Sequence, residues 1–205
     1  MSNKYDFTSL KNSLGKKGYK VFVFETKEDA TAYLKNKISE KTVGFGGSLT
    51  LHQMNLYKEL SLTNKVFWHD EKPEGMTIME TRTAATRADV YISSVNGISE
   101  NGEIINIDNT GNRVAAISYG PSQVYLVIGK NKVAPTFEDA IFRARNIAGP
   151  LNAKRLKRNT PCALKGDRCY DCSSTDRICR NLSVLWEKPT GAEYEIVLIN
   201  ENLGY

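Results

Sequence analysis

The stretch TVGFGGSLTLHQMNLYKEL, residues 42–60, changes character twice in nineteen positions. Its β-branched and aromatic opening reads as a strand (42–47) that runs into glycines, and LTLHQMNLYKEL reads as a helix. A strand, a glycine turn and a helix in direct succession form the repeating unit of an α/β fold. Gly44, Gly46, Gly47, Ser48 and Thr50 then stand between strand and helix. There, backbone N–H groups and two hydroxyls can face an anion such as phosphate or carboxylate. The loop is not a Walker sequence, because it lacks Gly-Lys-Ser/Thr. It departs from G-x-G-x-x-G at Leu49. Close helix–strand packing is the other use such glycines have.

Outward from this unit the same alternation continues. YKVFVF (19–24), KVFW (65–68), VYISS (90–94), EIINI (103–107) and VYLVIG (124–129) read as further strands. Ala30, Leu34 and Ile38 recur every four residues on one helix, and TIMETRTAATRA (77–88) forms another. After Pro135, Thr136 caps a helix with Asp139 three residues later. Phe137, Ala140, Ile141, Ala144, Ile147 and Ala148 line its face, and Gly149-Pro150 is expected to end it. The expected fold is α/β: a Rossmann-like, mostly parallel sheet flanked by helices, with a small cysteine-rich appendage. Residues 1–150 form the α/β domain, 151–183 a four-cysteine segment, and 184–205 a final strand (EYEIVLIN, 193–200) returning to the sheet.

At 205 residues the chain supports one main core. With 40% hydrophobic and 25% charged residues it is neither disordered nor rich in long apolar runs, and none approaches the ~20 residues that span a bilayer. No secretory apolar stretch marks the amino terminus, so a cytoplasmic protein with reduced thiols and no membrane partner is expected. Residues 154–180 hold eight Lys or Arg against three Asp, which equals the whole chain's net +5. That segment has one aromatic residue and no recognition-helix or RNA-binding motif, so nucleic acid is not an expected partner.

All four cysteines, Cys162, Cys169, Cys172 and Cys179, fall in this basic segment with the spacing C-x6-C-x2-C-x6-C. Buried apolar cysteines would be scattered through the elements instead, and disulfides do not suit a reducing compartment. Four thiolates around one centre hold either zinc or an iron–sulfur cluster. A single C-x2-C knuckle with long arms suits the larger object, though spacing alone does not choose. Such a site carries excess negative charge, which gives the surrounding cations an electrostatic reason to be there.

The richest polar stretch is SSVNGISENGEIINIDNTGNR (93–113). Asn-Gly steps read as turns, but Asn106 and Asp108 alternate with Ile105 and Ile107 and so share one strand face. Asn96, Glu100, Asn106, Asp108, Asn112 and Arg113 are therefore expected to surround whatever the glycine loop holds. His52 follows the loop, and no sequence pattern links it to His69, the only other histidine.

VGFGGSLTL, ADVYISSVNGISENGEIINIDNTGNRVAA and IAGPLNAKRLKRNTPC with the cysteine array resemble the LUD (lactate-utilisation, DUF162) family over nearly the whole chain. The resemblance implies the fold shared by ribose-5-phosphate isomerase and CoA transferases. It places a phosphate-type loop at Gly46, Gly47, Ser48 and Thr50. SENG (99–102) is similar to the glutamate signature of class I CoA transferases, which makes Glu100 a candidate catalytic nucleophile. A second register, against an isomerase branch, puts the acidic position at Asn96, an amide. The family pattern has an acid after Thr-Leu, where this chain has His52-Gln53. The family's association with iron–sulfur proteins of lactate oxidation implies a 4Fe-4S cluster, with zinc the alternative.

Three functions follow as expectations. The first is a component of lactate-type or anaerobic redox metabolism that binds a small anionic metabolite. The others are an isomerase- or CoA-transferase-like enzyme with a structural zinc, and a non-catalytic subunit that docks a redox protein.

Overall fold

The computed structural model describes residues 4–205, and the first three residues of the amino-terminal reading lie outside the described residues. The main sheet has six strands in the order β1-β10-β7-β4-β2-β3: β1 (Lys20–Phe24), β2 (Thr42–Phe45), β3 (Lys65–Phe67), β4 (Val90–Ser93), β7 (Gln123–Gly129) and β10 (Glu193–Ile199). Each neighbouring pair is parallel. Alternation along the strands explains why helices cover both faces. Val124, Leu126 and Ile128 of β7 enter one core with Leu10 and Leu14 of α1 (Thr8–Lys16) and Ile117 of α6 (Asn112–Ser118). Tyr125 and Val127 enter the other core, with Ala30 and Leu34 of α2 (Lys27–Lys37).

The helix expected over 49–60 is two helices, α3 (Leu49–Gln53) and α4 (Leu56–Ser61), broken at Asn55. Asn55 takes the left-handed conformation (φ 52°), which asparagine tolerates better than most residues. The break turns Leu51, Met54, Leu56 and Leu60 into the same core.

Strand 103–107, expected in the parallel sheet, instead centres a second, four-stranded sheet. Its order is β8-β5-β6-β9: β8 (Val133–Ala134), β5 (Gly97–Ser99), β6 (Ile104–Asp108) and β9 (Asn181–Leu185). β6 is antiparallel to both neighbours, and to β5 because the Glu100–Gly102 turn folds the chain straight back. β9 was not legible, since its apolar residues Leu182, Val184 and Leu185 keep no regular alternation.

The helix after Thr136 does not stop at Gly149-Pro150. α7 (Phe137–Arg143) passes through a π-helical turn, Ala144–Ala148, into α8 (Gly149–Arg155). Proline has no N–H and its ring clashes with the carbonyl one turn back. The wide turn, with Gly149 N–H bonded to Ala144 O five residues earlier, opens the helix enough to admit the ring. α9 (Pro161–Lys165) then begins the cysteine segment.

Two glycines are fixed by close approach. A Cβ on Gly44 would lie 2.1 Å from the Ala85 carbonyl of α5 (Ile78–Thr86), and one on Gly97 would lie 2.6 Å from the Ala140 carbonyl of α7. Gly44→Ala is therefore expected to cost at least about 2 kcal/mol in urea denaturation. Gly191→Ala, with open space around it, should stay within about 0.5 kcal/mol of wild type. Equal effects at the two positions would contradict this packing.

Candidate functional site

Between β2 and β4 the strand order reverses: the chain leaves β2 outward to β3, and leaves β4 in the opposite direction toward β7. In parallel sheets this reversal opens a crevice beyond the carboxyl ends of the strands. Here it is a cavity of about 340 Å³ reached by residues following β2 (Gly47, Ser48), β3 (His69, Asp70), β4 (Ser94, Asn96) and β7 (Lys132).

The glycine loop forms its floor. A Cβ on Gly46 would meet Ser93 Oγ at 2.6 Å and the Arg113 stem at 3.0 Å, and one on Gly47 would sit 3.2 Å from the His69 ring. Ser48 caps α3 by accepting from Leu51 N–H. α3 has only five residues and a correspondingly small dipole, so the positive potential of the crevice comes from side chains.

Lys132 is one source. It is 4% exposed, and its Nζ donates to Thr50 Oγ1 (2.9 Å) and Ser94 Oγ (2.8 Å). Burial, with Arg143 and Arg113 nearby, holds its pKa well below the ordinary lysine value. Arg113 lies beneath it as a clip. Its Nη1 donates to Ser94 O (3.1 Å) and Asn106 Oδ1 (2.5 Å), and its Nη2 to Asn96 Oδ1 (3.0 Å) and Ile107 O (2.7 Å). Arg143 donates to Asn131 O and Asn96 O, and burial lowers its pKa to about 10. All these acceptors are neutral. Among the described residues none of the three cations has a carboxylate within 4.0 Å. A buried cation without a counter-charge is costly, and a small anion in the crevice would relieve that cost.

Arg82, Arg155 and Arg158 also line the cavity, and the Nε atoms of Arg82 and Arg158 are buried without a hydrogen-bond partner. Against the five cations that line the cavity, Lys132, Arg113, Arg82, Arg155 and Arg158, stand two acids, Asp70 and Asp108. Asp108 is already engaged, accepting the backbone N–H groups of Asn109, Arg113 and Val114.

Of the residues singled out from sequence, Gly47, Ser48, Asn96, Asp108, Asn112 and Arg113 line the crevice. Thr50 and Asn106 lie behind it, one holding Lys132 and the other Arg113. Gly46 lies under the loop, against Arg113. Glu100 departs from the expectation. It sits in the β5–β6 turn, its backbone N–H bonds Ala134 O, and it is not among the crevice residues. Burial raises its pKa and leaves Oε2 without a partner. Lys132, His69, Asp70, Arg82 and Arg155 were not found from sequence. Only Lys132 left a signal, a lysine just past the end of a buried strand.

The four cysteines are free thiols around a second cavity, of about 240 Å³. Arg145 Nη2 and Asp171 N–H donate to Cys169 Sγ, Arg177 Nη2 donates to Cys179 Sγ, and Thr160 Oγ1 lies 3.3 Å from Cys162 Sγ. Among the described residues no three His, Cys, Asp or Glu side chains are gathered as ligands of one metal ion. Four thiolates brought around one centre could hold one zinc ion or a multi-iron cluster. Cationic donors aimed at two of the sulfurs would offset the charge of either group. Ile107, Gly149, Ile178 and Cys179 line both cavities, so crevice and cysteine site share a wall. The π turn sets Gly149 in that wall.

The unpaired lysine gives a test by pH. Its folded pKa is depressed, so between that value and the ordinary 10.5 the unfolded chain holds more protons and stability rises with pH. Wild type should therefore gain stability from pH 7 to 10 relative to Lys132→Met. At pH 7 the variant should be at least as stable as wild type. A variant less stable by more than about 2 kcal/mol, as expected when a buried ion pair is broken, would contradict this reading.

Among the described residues no helix is long and apolar enough to cross a membrane. No curated protein matches the chain. A DUF162 family protein from Deinococcus radiodurans has a similar crystal structure (TM-score 0.53), covering 93% of this chain and 94% of that one at 12% identity, which shows the fold. The family model described as LUD domain matches residues 8–199, and the chain belongs to that family.

Proposed function

We propose that the protein binds a small anionic metabolite in the crevice and carries a 4Fe-4S cluster on Cys162, Cys169, Cys172 and Cys179, as a component of lactate-type or anaerobic redox metabolism. One observation carries the reading: a crevice with buried cations that have no carboxylate within ion-pair distance shares a wall with a cavity ringed by four free thiols. When bound, such a cluster supplies one-electron transfer beside the crevice.

The chain's own residues have distinct tasks. Lys132 anchors the anionic group of the ligand, and Arg113 supplies a fixed charge while locking β6 to the β4–β5 connection. Arg145 and Arg177 hydrogen-bond the thiolate sulfurs and offset their charge. Asp171 pairs with Arg145 at 3.1 Å, steadying it. A reducing, cytoplasmic setting keeps the thiols free. The exposed cations Lys165, Arg168 and Arg180 suit a redox partner with an acidic surface.

Anaerobic reconstitution with iron and sulfide tests the cysteine half. The expected product has a broad absorbance near ~400 nm and about four irons per chain, both lost when Cys169 or Cys172 is replaced by serine. One tightly held zinc with no iron uptake would replace the cluster with a structural site.

A further inference from the structure

Both histidines of the chain converge on one carboxylate. Asp70 Oδ2 is bonded to His52 Nε2 at 2.9 Å, and Asp70 Oδ1 lies 3.6 Å from His69 Nε2. His52 is itself fixed, because its ring packs on Trp68 with centroids 4.0 Å apart, and Trp68 is fully buried. His69 lines the crevice and His52 does not. The Nε2–Cε1 edge of His69 faces the place where a Cβ on Gly47 would stand, so the missing side chain leaves that edge open to a ligand.

We propose that His69 touches the bound anion through Nε2, beside Lys132, and becomes protonated as the anion binds. The proposal rests on the anion reading given above. Asp70 is a positioning residue: its carboxylate, oriented by His52, stabilises the imidazolium that forms. The proton comes from solvent, and the imidazolium so formed donates from Nε2 to an oxygen of the anion. The ligand class is a small carboxylate or phosphate. It sits between Lys132 and the space over Gly47, where the His69 edge is open.

The charged groups around His69 come from four elements. They are Asp70 after β3, Arg82 on α5, Asp108 on β6 and Arg155 on α8. Burial is the largest influence and lowers the imidazole's pKa, which favours the neutral ring. An anion beside it favours the imidazolium, so binding takes up a proton. Affinity then falls as pH rises from the free-state pKa to the bound-state pKa, by about tenfold per unit.

The test uses inorganic sulfate, which does not titrate near neutral pH, and reads the two histidine Cε1–H resonances by NMR from pH 5 to 8. Calorimetry in buffers of different ionisation enthalpy counts the protons. Sulfate is expected to raise the His69 pKa by about one unit while moving His52 little, with up to one proton taken up. Asp70→Asn should reduce that uptake. Gly47→Ala, which fills the space over Nε2, should remove the His69 response. Sulfate that binds in a Lys132-dependent manner without shifting His69 would overturn the proposal and leave the anion site standing. No sulfate binding at millimolar concentration would overturn both.

Discussion

A lysine buried without a carboxylate partner is the constraint around which the crevice is organised. Lys132 reaches its place because β7 runs as an apolar strand to Gly129 and then turns, carrying the ammonium back under the glycine loop. Two hydroxyls, Thr50 and Ser94, solvate it, and both belong to segments that follow neighbouring parallel strands. Charge held in this way is costly to the free protein. It becomes favourable when an anion arrives, so the site sacrifices some stability for binding. Arg113 adds a second charge whose geometry is fixed by four neutral acceptors, two of them the amides Asn96 and Asn106.

The second sheet and the π turn join this crevice to the cysteine segment. β9 follows Cys179 directly and pairs with β6, whose residues Ile107 and Asp108 line the crevice. The cysteine segment is thus tied to the site by backbone hydrogen bonds. On the other side Pro150 forces the wide turn that brings Gly149 between the two cavities. A thiolate at Cys179 is therefore a wall of the ligand space as well as a candidate cluster ligand.

Much of the main sheet was legible, because parallel strands buried on both faces leave continuous apolar runs such as VYLVIG. The glycine loop, the cysteine grouping and the shared face of Asn106 and Asp108 were legible from spacing. What sequence missed was set by tertiary contact. His69 and Asp70 follow a three-residue strand with no pattern of their own. Arg82 and Arg155 lie on helices where they read as solvated positions. The break at Asn55 and the continuation through Pro150 turned on one αL residue and one five-residue hydrogen bond, which periodicity does not register. Glu100 was drawn in by a motif resemblance, but the turn geometry of Glu100–Gly102 gives it another place.

The most direct examination is a crystal structure of the protein grown with a small dicarboxylate such as oxalate. Density for the anion is expected against Lys132, with an oxygen about 2.8 Å from Nζ, as charge-assisted hydrogen bonds require. Oxalate found only elsewhere, with Lys132 still bonded to Thr50 and Ser94 alone, would contradict the crevice as an anion site.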